Sequence, residues 1–295
     1  MGSEMCIRDS PQSQQSFSNR FRRFRFALAW TAVALIGSSI IWSLTWLQPQ
    51  KQIRLTLIGA DYAENLSVNL NVSGWNDLNS IVEMAHNDSH AMKFRVGSSP
   101  VVFQNDTKWD SDLEHANERT IVVYFSAHGA ADEQGAYLMP QNCSPDKEFR
   151  LNVGKIIERL KQVPAGKKKL LVLDAAHIRA NWNYGILSND FARSLKELNQ
   201  QILDVPNLTV LSATSEEQLS WAFPAHNQTA FGHFFVEAIR GASDDYNNNG
   251  RIDVEDVYRF TNVNVAQWVK TTYHCLLYTS PSPRDLSTSR MPSSA

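Results

Sequence analysis

The chain has little cysteine, little net charge and no nucleotide-binding loop. Its three cysteines, Cys6, Cys143 and Cys275, are too few and too scattered for a disulfide framework or for a zinc site with Cys-x-x-Cys spacing. A formal net charge of -2 gives no indication of a nucleic-acid partner. Neither a Walker loop nor a Gly-x-Gly-x-x-Gly loop occurs, so no motif points to a nucleotide cofactor. The composition, with 43% hydrophobic and 20% charged residues, is that of a globular protein.

One long apolar run predicts a membrane span. Residues 26–47 read FALAWTAVALIGSSIIWSLTWL and carry no charge, and at about 1.5 Å per residue they are long enough to cross a hydrocarbon core. Arginines at positions 20, 22, 23 and 25 precede the run, so the positive-inside rule places the amino terminus in the cytoplasm and the main domain outside it. The alternative is a cleaved signal peptide, but the run is long and no small-residue cleavage site follows it.

The two ends of the chain differ in composition from the rest. Residues 1–10 show no periodicity, and residues 275–295 are rich in Ser, Pro and Thr. Both segments resemble translated adapter sequence, the alternative being natural disordered termini, and neither enters the fold prediction. The predicted organisation is a basic cytoplasmic head at 1–25, the membrane helix at 26–47, a linker at 48–52, a globular domain at 53–274 and a disordered or artefactual tail at 275–295.

Between residues 53 and 274, strand and helix patterns alternate. Apolar runs at 53–58, 120–125 and 170–173 predict strands, and an apolar stripe at 75–85 predicts an amphipathic helix. Strands that alternate with helices predict right-handed crossovers and a mostly parallel sheet between two layers of helices. The expected fold is therefore α/β, a three-layer helix-sheet-helix domain preceded by one transmembrane helix.

Polar residues directly follow two of these strands. His128 and Gly129 come after the strand at 120–125, and the strand at 170–173 ends in Asp174-Ala175-Ala176-His177. Open α/β sheets place their sites at the carboxyl ends of parallel strands, so these two tips are predicted to face one another. Over about residues 54–260 the chain resembles the caspase and metacaspase-like cysteine endopeptidases. In that family a Ser-Gly-His-Gly-like segment carries the catalytic histidine, and an Asp-x-Cys-His segment carries the nucleophile.

The resemblance implies a role for each residue at the two tips. It implies His128 as the catalytic base, Gly129 as an oxyanion-hole N–H donor, and Asp174 as the acidic residue that helps receive a basic side chain. The nucleophile position, however, holds Ala176. A methyl group cannot attack a carbonyl, and loss of the nucleophile costs about a million-fold in rate in subtilisin.

Three functional hypotheses follow from these residues. The first is a membrane-anchored pseudopeptidase that binds a peptide or protein partner. The second is an active caspase-like cysteine endopeptidase, cutting after a basic residue with His128 as base. In the second case Cys143 would be the one other nucleophile to consider, but it stands in a loop-like stretch at 141–146 that nothing places near His128, so a solvated loop thiol is expected.

The third hypothesis, a calcium-responsive scaffold, comes from a separate motif at residues 245–256. Its spacing follows the EF-hand loop, with oxygen donors at positions one, three, five, seven, nine and twelve and with Gly250 at position six. Few of the donors are carboxylates, so weak calcium affinity is expected, and the alternative is an Asn-rich turn without a metal. The predicted ligands are Asp245, Asn247, Asn249, the backbone carbonyl of Arg251, Asp253 and Asp256.

Overall fold

The computed structural model describes residues 52–87, 93–111, 113–145, 150–175, 177–216, 218 and 220–273. Within these ranges no helix is both long enough and apolar enough to cross a bilayer. The predicted membrane span at 26–47, the tail at 275–295 and Ala176 lie outside the described residues.

Strands and helices alternate along the described part of the chain. The strands are β1 (Gln52–Gly59), β2 (Lys93–Arg95), β3 (Val101–Val102), β4 (Thr120–Ser126), β5 (Gly129–Asp132), β6 (Gly135–Leu138), β7 (Leu151–Asn152), β8 (Lys168–Asp174), β9 (Leu208–Ser212), β10 (Ala222–Phe223) and β11 (Gln228–Thr229). The α-helices are α1 (Val72–His86), α2 (Val153–Gln162), α3 (Phe191–Glu197), α4 (Asn199–Leu203), α5 (Ala230–Glu237) and α6 (Val254–Tyr273).

A six-stranded sheet forms the centre of the domain. Its strand order is β2-β1-β4-β8-β9, and β3 pairs with the carboxyl end of β1. The pairs of this sheet run parallel, which matches the predicted mostly parallel sheet. Strands β4 and β8 are neighbours in the middle of the sheet, with Ser126 opposite Asp174 at their carboxyl ends.

The central strands are buried on both faces, as their unbroken apolar runs predict. In β4, Ile121, Val123 and Phe125 pack into one hydrophobic cluster, while Val122 and Tyr124 pack into a second cluster on the other side. The alternation arises because successive side chains of a strand point to opposite faces. Both faces of the sheet must therefore be covered by other elements.

Helices cover both faces and complete the three layers. On one side, α2, α3 and α4 contribute Ile156, Phe191 and Ile202 to the first cluster. On the other side, α1 and α5 contribute Leu78 and Phe235 to the second cluster, and α6 adds Val257. The predicted helix-sheet-helix architecture is confirmed for the described residues.

A small antiparallel sheet follows β4 directly, and the sequence analysis missed it. Strand β5 begins at Gly129 and pairs with β6, which also pairs with β7. The backbone carbonyl of His128 accepts the N–H of Met139, just after β6, at 2.8 Å. His128 is therefore held at a junction between the central sheet and this second sheet.

Candidate active site

The carboxyl ends of β4 and β8 lie side by side. Their backbone pairing continues past the strand ends, where the Ala127 N–H donates to the Asp174 carbonyl at 3.2 Å and the Gly129 N–H donates to the Ala175 carbonyl at 2.6 Å. The rings of His128 and His177 come next, with centroids 5.9 Å apart. The structure thus brings together the two segments that carry the sequence resemblance.

Tyr62, in the loop after β1, holds His128 in place. Its ring stacks on the imidazole, with centroids 4.4 Å apart and planes 9° apart. Its hydroxyl accepts the His128 backbone N–H at 2.8 Å and donates to the Met139 carbonyl at 2.5 Å. Tyr62 has a φ of 58°, a left-handed conformation that strains a bulky residue, and the side chain of Gln141 accepts its N–H at 3.0 Å. Sequence reasoning missed Tyr62 because no local pattern marks a tyrosine with positive φ.

The tautomer of His128 follows from its contacts. Its Nε2 lies 2.6 Å from the backbone carbonyl of Asn69, which can only accept a hydrogen bond, so Nε2 carries the proton. The lone pair is then on Nδ1, which is buried and has no hydrogen-bond partner within the described residues. Burial, helped by the neighbouring His177, lowers the pKa of His128 to about 3. At neutral pH the ring is therefore uncharged, but this low pKa makes it a weak base, because a general base works best when its pKa lies near the operating pH.

The N–H of Gly129 is already engaged in this conformation. It donates to the Ala175 carbonyl, so it would serve an oxyanion only after that peptide group turned away. A side chain at this position would also be crowded, because a Cβ atom would lie 2.9 Å from the Cβ of Ala175 and 2.9 Å from the ring of Phe191. The close approach of the start of β5 to Ala175 and to α3 thus requires glycine here, whatever its role in catalysis.

Asp174 is completely buried at the end of β8. One carboxyl oxygen accepts the Ser220 hydroxyl at 3.1 Å, and the other lies 3.0 Å from the Thr229 hydroxyl oxygen. The Nε2 atom of His177 lies 3.0 Å from the backbone oxygen of Asp174 and 3.4 Å from its carboxylate. His177 therefore directs this nitrogen at Asp174, and acts as part of the loop that surrounds it.

A second buried carboxyl, Asp77, lies next to Asp174. It projects from α1 and contacts the hydroxyl oxygen of Thr229 at 2.7 Å and the Thr229 backbone N–H at 3.1 Å. Burial, and then the negative charge of Asp174, raise the pKa of Asp77 well above its usual range. Gly232 in the first turn of α5 makes this contact possible, since a Cβ atom there would overlap the Asp77 carboxyl.

Sequence reasoning missed Asp77, although a signal was present. The buried stripe of α1 includes Gly74, Leu78, Ile81 and Val82, and Asp77 occupies a position on the same stripe. An acidic residue on the core face of an amphipathic helix is unusual, because an unpaired buried charge is costly. Such a residue indicates a buried polar site.

Comparison with known protein families decides the classification. The family model described as "Caspase domain" matches residues 103–292, which is more than half of the chain. The chain belongs to the caspase domain family. No curated protein matches it.

Two solved caspase structures are similar to this caspase domain. The Drosophila initiator caspase Dronc is 13% identical, with a TM-score of 0.45, and the match covers 74% of this chain and 73% of that chain. Caspase-1 from Spodoptera frugiperda is 15% identical, also with a TM-score of 0.45, and the match covers 73% of this chain and 75% of that chain.

The one cysteine among the described residues of the caspase domain is not placed as a nucleophile. Cys143 is buried in the first hydrophobic cluster, so the expectation of a solvated loop thiol is wrong. Its sulfur lies 3.4 Å from the amide nitrogen of Asn65 and 3.5 Å from the hydroxyl of Tyr184. Burial raises the pKa of the thiol, and this disfavours the thiolate that nucleophilic attack requires.

The loop at 245–256 of the caspase domain folds into a tight turn. The carboxylate of Asp245 accepts the N–H groups of Asn249 and Gly250 at 3.0 and 2.6 Å, and Gly250 has a φ of 78°. The carboxylate of the buried Asp256 accepts the N–H groups of Tyr246 and Asp253 at 3.0 and 2.9 Å. Glycine at loop position six therefore provides the left-handed residue that the turn requires.

The predicted calcium ligands in this loop contact one another. Asp253 accepts hydrogen bonds from the side-chain amides of Asn247 and Asn249 at 3.2 and 2.9 Å. Rotation of either amide would present an oxygen in place of the nitrogen, and calcium prefers oxygen donors. Among the described residues no three His, Cys, Asp or Glu side chains form a group that could hold a metal ion. The calcium loop stays a prediction.

The low pKa of His128 predicts a pH dependence of stability that a His128→Gln variant lacks. The ring is neutral in the folded protein down to about pH 3, whereas an unfolded histidine takes up a proton below about pH 6.5. The stability that the protein has with the buried neutral ring is fully present above pH 6.5, and it is lost as the pH falls towards 3. Between pH 7 and pH 5 the free energy of unfolding should fall by about 2 kcal/mol more in the unsubstituted protein than in the variant, measured by urea denaturation. An equal pH dependence in both proteins would contradict the buried neutral ring.

Calcium binding at 245–256 predicts a stabilisation that depends on Asp245. With a dissociation constant of about 1 mM, as in weak extracellular sites, 10 mM calcium should stabilise the protein by about 1.4 kcal/mol. The increase in melting temperature should be absent in Asp245→Ala and retained in the neighbouring control Asp244→Ala. If 10 mM calcium does not shift the melting temperature of the unsubstituted protein, the metal site does not exist.

Proposed function

We propose that this protein is a catalytically inactive member of the caspase domain family that binds a peptide or protein partner in the cleft at the ends of β4 and β8. The position that matches the nucleophilic cysteine holds Ala176, and the methyl group has no lone pair with which to attack a carbonyl. Cys143, the one cysteine among the described residues of the domain, is buried in the core. The cleft therefore has no thiol in the place where the family's chemistry needs one.

The observation that carries this proposal is the state of His128 and Gly129. His128 is held by Tyr62 and Asn69 with an unpartnered Nδ1, while the Gly129 N–H is occupied by the Ala175 carbonyl. The base is kept in position, but the position of its thiol partner holds an alanine and the oxyanion donor is already engaged. Such a site supports binding better than it supports turnover.

We infer the chemistry of the partner from two buried carboxyls, Asp77 and Asp174, that lie next to each other at this site. Neither Asp77 nor Asp174 forms an ion pair with Lys or Arg in the described part of the chain, and His177 is the basic side chain that contacts the Asp174 carboxylate. Two buried carboxyls without a basic partner are costly, so a cationic side chain that entered between them would be bound favourably. We infer that the partner presents a basic residue, displacing the half-buried Ser220 and His177 from Asp174.

The alternative function is an active cysteine-type endopeptidase. The unprotonated Nδ1 of His128, which has no hydrogen-bond partner within the described residues, is the feature that favours it, although burial makes this nitrogen a weak base. A cysteine at position 176 would be required for the family's mechanism. The two functions differ in whether the protein as it stands cuts a peptide that it binds.

One set of assays separates the two functions. The full chain, solubilised in detergent, is offered fluorogenic peptides that are identical except for Arg, citrulline or Asp at the first site. We expect the arginine peptide to bind tightest, by fluorescence anisotropy, and none of the peptides to be cut. Ala176→Cys restores the nucleophile, whose loss costs up to about a million-fold in rate, so this variant should cleave the arginine peptide. The cleavage should disappear in the Ala176→Cys, His128→Gln double variant, which lacks the base.

The contrary result is turnover by the unsubstituted protein. If that turnover is lost in His128→Gln, the protein is an active peptidase and the pseudopeptidase proposal fails. If the arginine and citrulline peptides bind equally, the cleft does not recognise a basic charge.

We also propose that residues 26–47 anchor the protein in a membrane, with the amino terminus in the cytoplasm and the caspase domain outside it. The support is the charge-free run and the arginines that precede it. In cells expressing the full chain, alkaline carbonate should leave the protein in the membrane pellet, and protease added outside should digest the domain. Release by carbonate would refute the span, and protection of the domain in intact cells would refute the orientation.

A further inference from the structure

Asp77 and Asp174 share a single hydroxyl group. The Oγ1 atom of Thr229 lies 2.7 Å from Oδ2 of Asp77 and 3.0 Å from Oδ2 of Asp174. Thr229 is also the residue that caps α5, and its Oγ1 accepts the Gly232 N–H at 2.8 Å. Three polar groups therefore surround one oxygen atom that carries one hydrogen.

The hydrogen bonds at this oxygen can be formed only if one carboxyl is protonated. A threonine hydroxyl donates once, so it can donate to one of the two carboxyls. At the other carboxyl, a carboxyl oxygen meets the Thr229 oxygen without a hydrogen between them. That contact is favourable only when this carboxyl is protonated and donates its own hydrogen to Thr229. Gly232 takes one lone pair of Oγ1, and a carboxyl proton takes the other. The geometry thus requires one proton shared by the pair.

The surroundings favour Asp77 as the carboxyl that holds the proton. Asp174 accepts the Ser220 hydroxyl and faces the Nε2 of His177 at 3.4 Å. Asp77 faces the backbone N–H of Thr229, and burial together with the charge of Asp174 raises its pKa. The chain of donors therefore runs from Asp77 to Thr229 to Asp174.

Among the residues that the structure describes, the other groups around the pair do not supply a fixed positive charge. From β4 the hydroxyl of Tyr124 is buried, and burial and both carboxyls raise its pKa, so it is neutral at pH 7. The neutral amide of Gln228 in β11 lies near Asp77, and the Gly232 N–H marks the amino end of α5. His177 on the loop after β8 is the titratable base that faces Asp174.

We propose that the pair of Asp77 and Asp174 holds one proton in the empty protein and releases it when a cationic side chain enters the cleft. The proton passes from the Asp77 carboxyl to the buffer, and the incoming cation takes over its role between two carboxylates. The release of the proton rests on the proposed function, since it needs a basic partner. The sharing of the proton between the two carboxyls does not depend on that function. In the pH range where the pair holds its proton before binding, the affinity for the cationic side chain should rise by up to about tenfold for each unit by which the pH increases.

Infrared spectroscopy tests the shared proton without any ligand. The full chain at pH 7 should show the carbonyl stretching band of a buried protonated carboxyl. The band should be lost in Asp77→Asn, which is isosteric and can still donate to Thr229, and kept in Asp106→Asn, which changes an exposed residue. If the unsubstituted protein lacks the band, or if Asp77→Asn keeps it unchanged, the proposal is overturned.

Calorimetry tests whether the proton is released when a cation binds, which we call the exchange. N-acetyl-arginine amide is titrated into the full chain at pH 7 in phosphate and in Tris, which differ in their heats of ionisation. The difference in binding enthalpy should correspond to release of about one proton in the unsubstituted protein and in Thr229→Ser, which keeps the hydroxyl, and to none in Asp77→Asn. The uncharged N-acetyl-citrulline amide should release none.

The outcomes distinguish the two proposals. Binding of the arginine compound without proton release overturns the exchange while leaving the proposed function intact. A clear carboxyl band without binding of the arginine compound overturns the basic partner, and with it the exchange, but establishes the shared proton.

Discussion

The register between β4 and β8 is the constraint on which the rest of the site depends. Ser126 stands opposite Asp174, and the pairing continues through Ala127 and Gly129 beyond the ends of the strands. Because side chains alternate between the faces of a sheet, a shift by one residue would send each of these side chains to the opposite face. The burial of Phe125 and Leu173 on one face and of Tyr124 and Val172 on the other excludes such a shift. Core packing thus sets the positions of His128 and Asp174.

Burial limits the charge on both sides of the site. His128 loses its proton because it is buried, and Tyr62 and the Asn69 carbonyl hold the neutral ring. Burial also raises the pKa of Asp77, since it disfavours the charged form of an acid as well as of a base. Under the proposed exchange, a cationic ligand changes the protonation of the acidic side when it binds, whereas the histidine ring stays neutral.

Much of this arrangement could be predicted from the sequence. The parts that could not be predicted are mostly contacts between residues far apart along the chain. The apolar runs at 120–125 and 170–173 were sufficient for the parallel strands, and polar residues after each run located the tips. Tyr62 and Thr229 reach the site from far along the chain, and no local pattern encodes such contacts. Strand β5 was missed because Gly129-Ala130-Ala131-Asp132 contains none of the β-branched or aromatic residues that mark a strand.

The stacking of Tyr62 on His128 also affects how members of this family are recognised. The imidazole fills space against Tyr62, its Nε2 satisfies the Asn69 carbonyl, and its backbone N–H satisfies the Tyr62 hydroxyl. Each of these contacts contributes to folding even if the protein never cuts a peptide bond. Selection for a stable fold alone would therefore retain the histidine long after catalysis was lost, so its presence in a relative says little about activity. The family's mechanism requires a nucleophile, so the identity of position 176 is the more informative record of whether the chemistry survives.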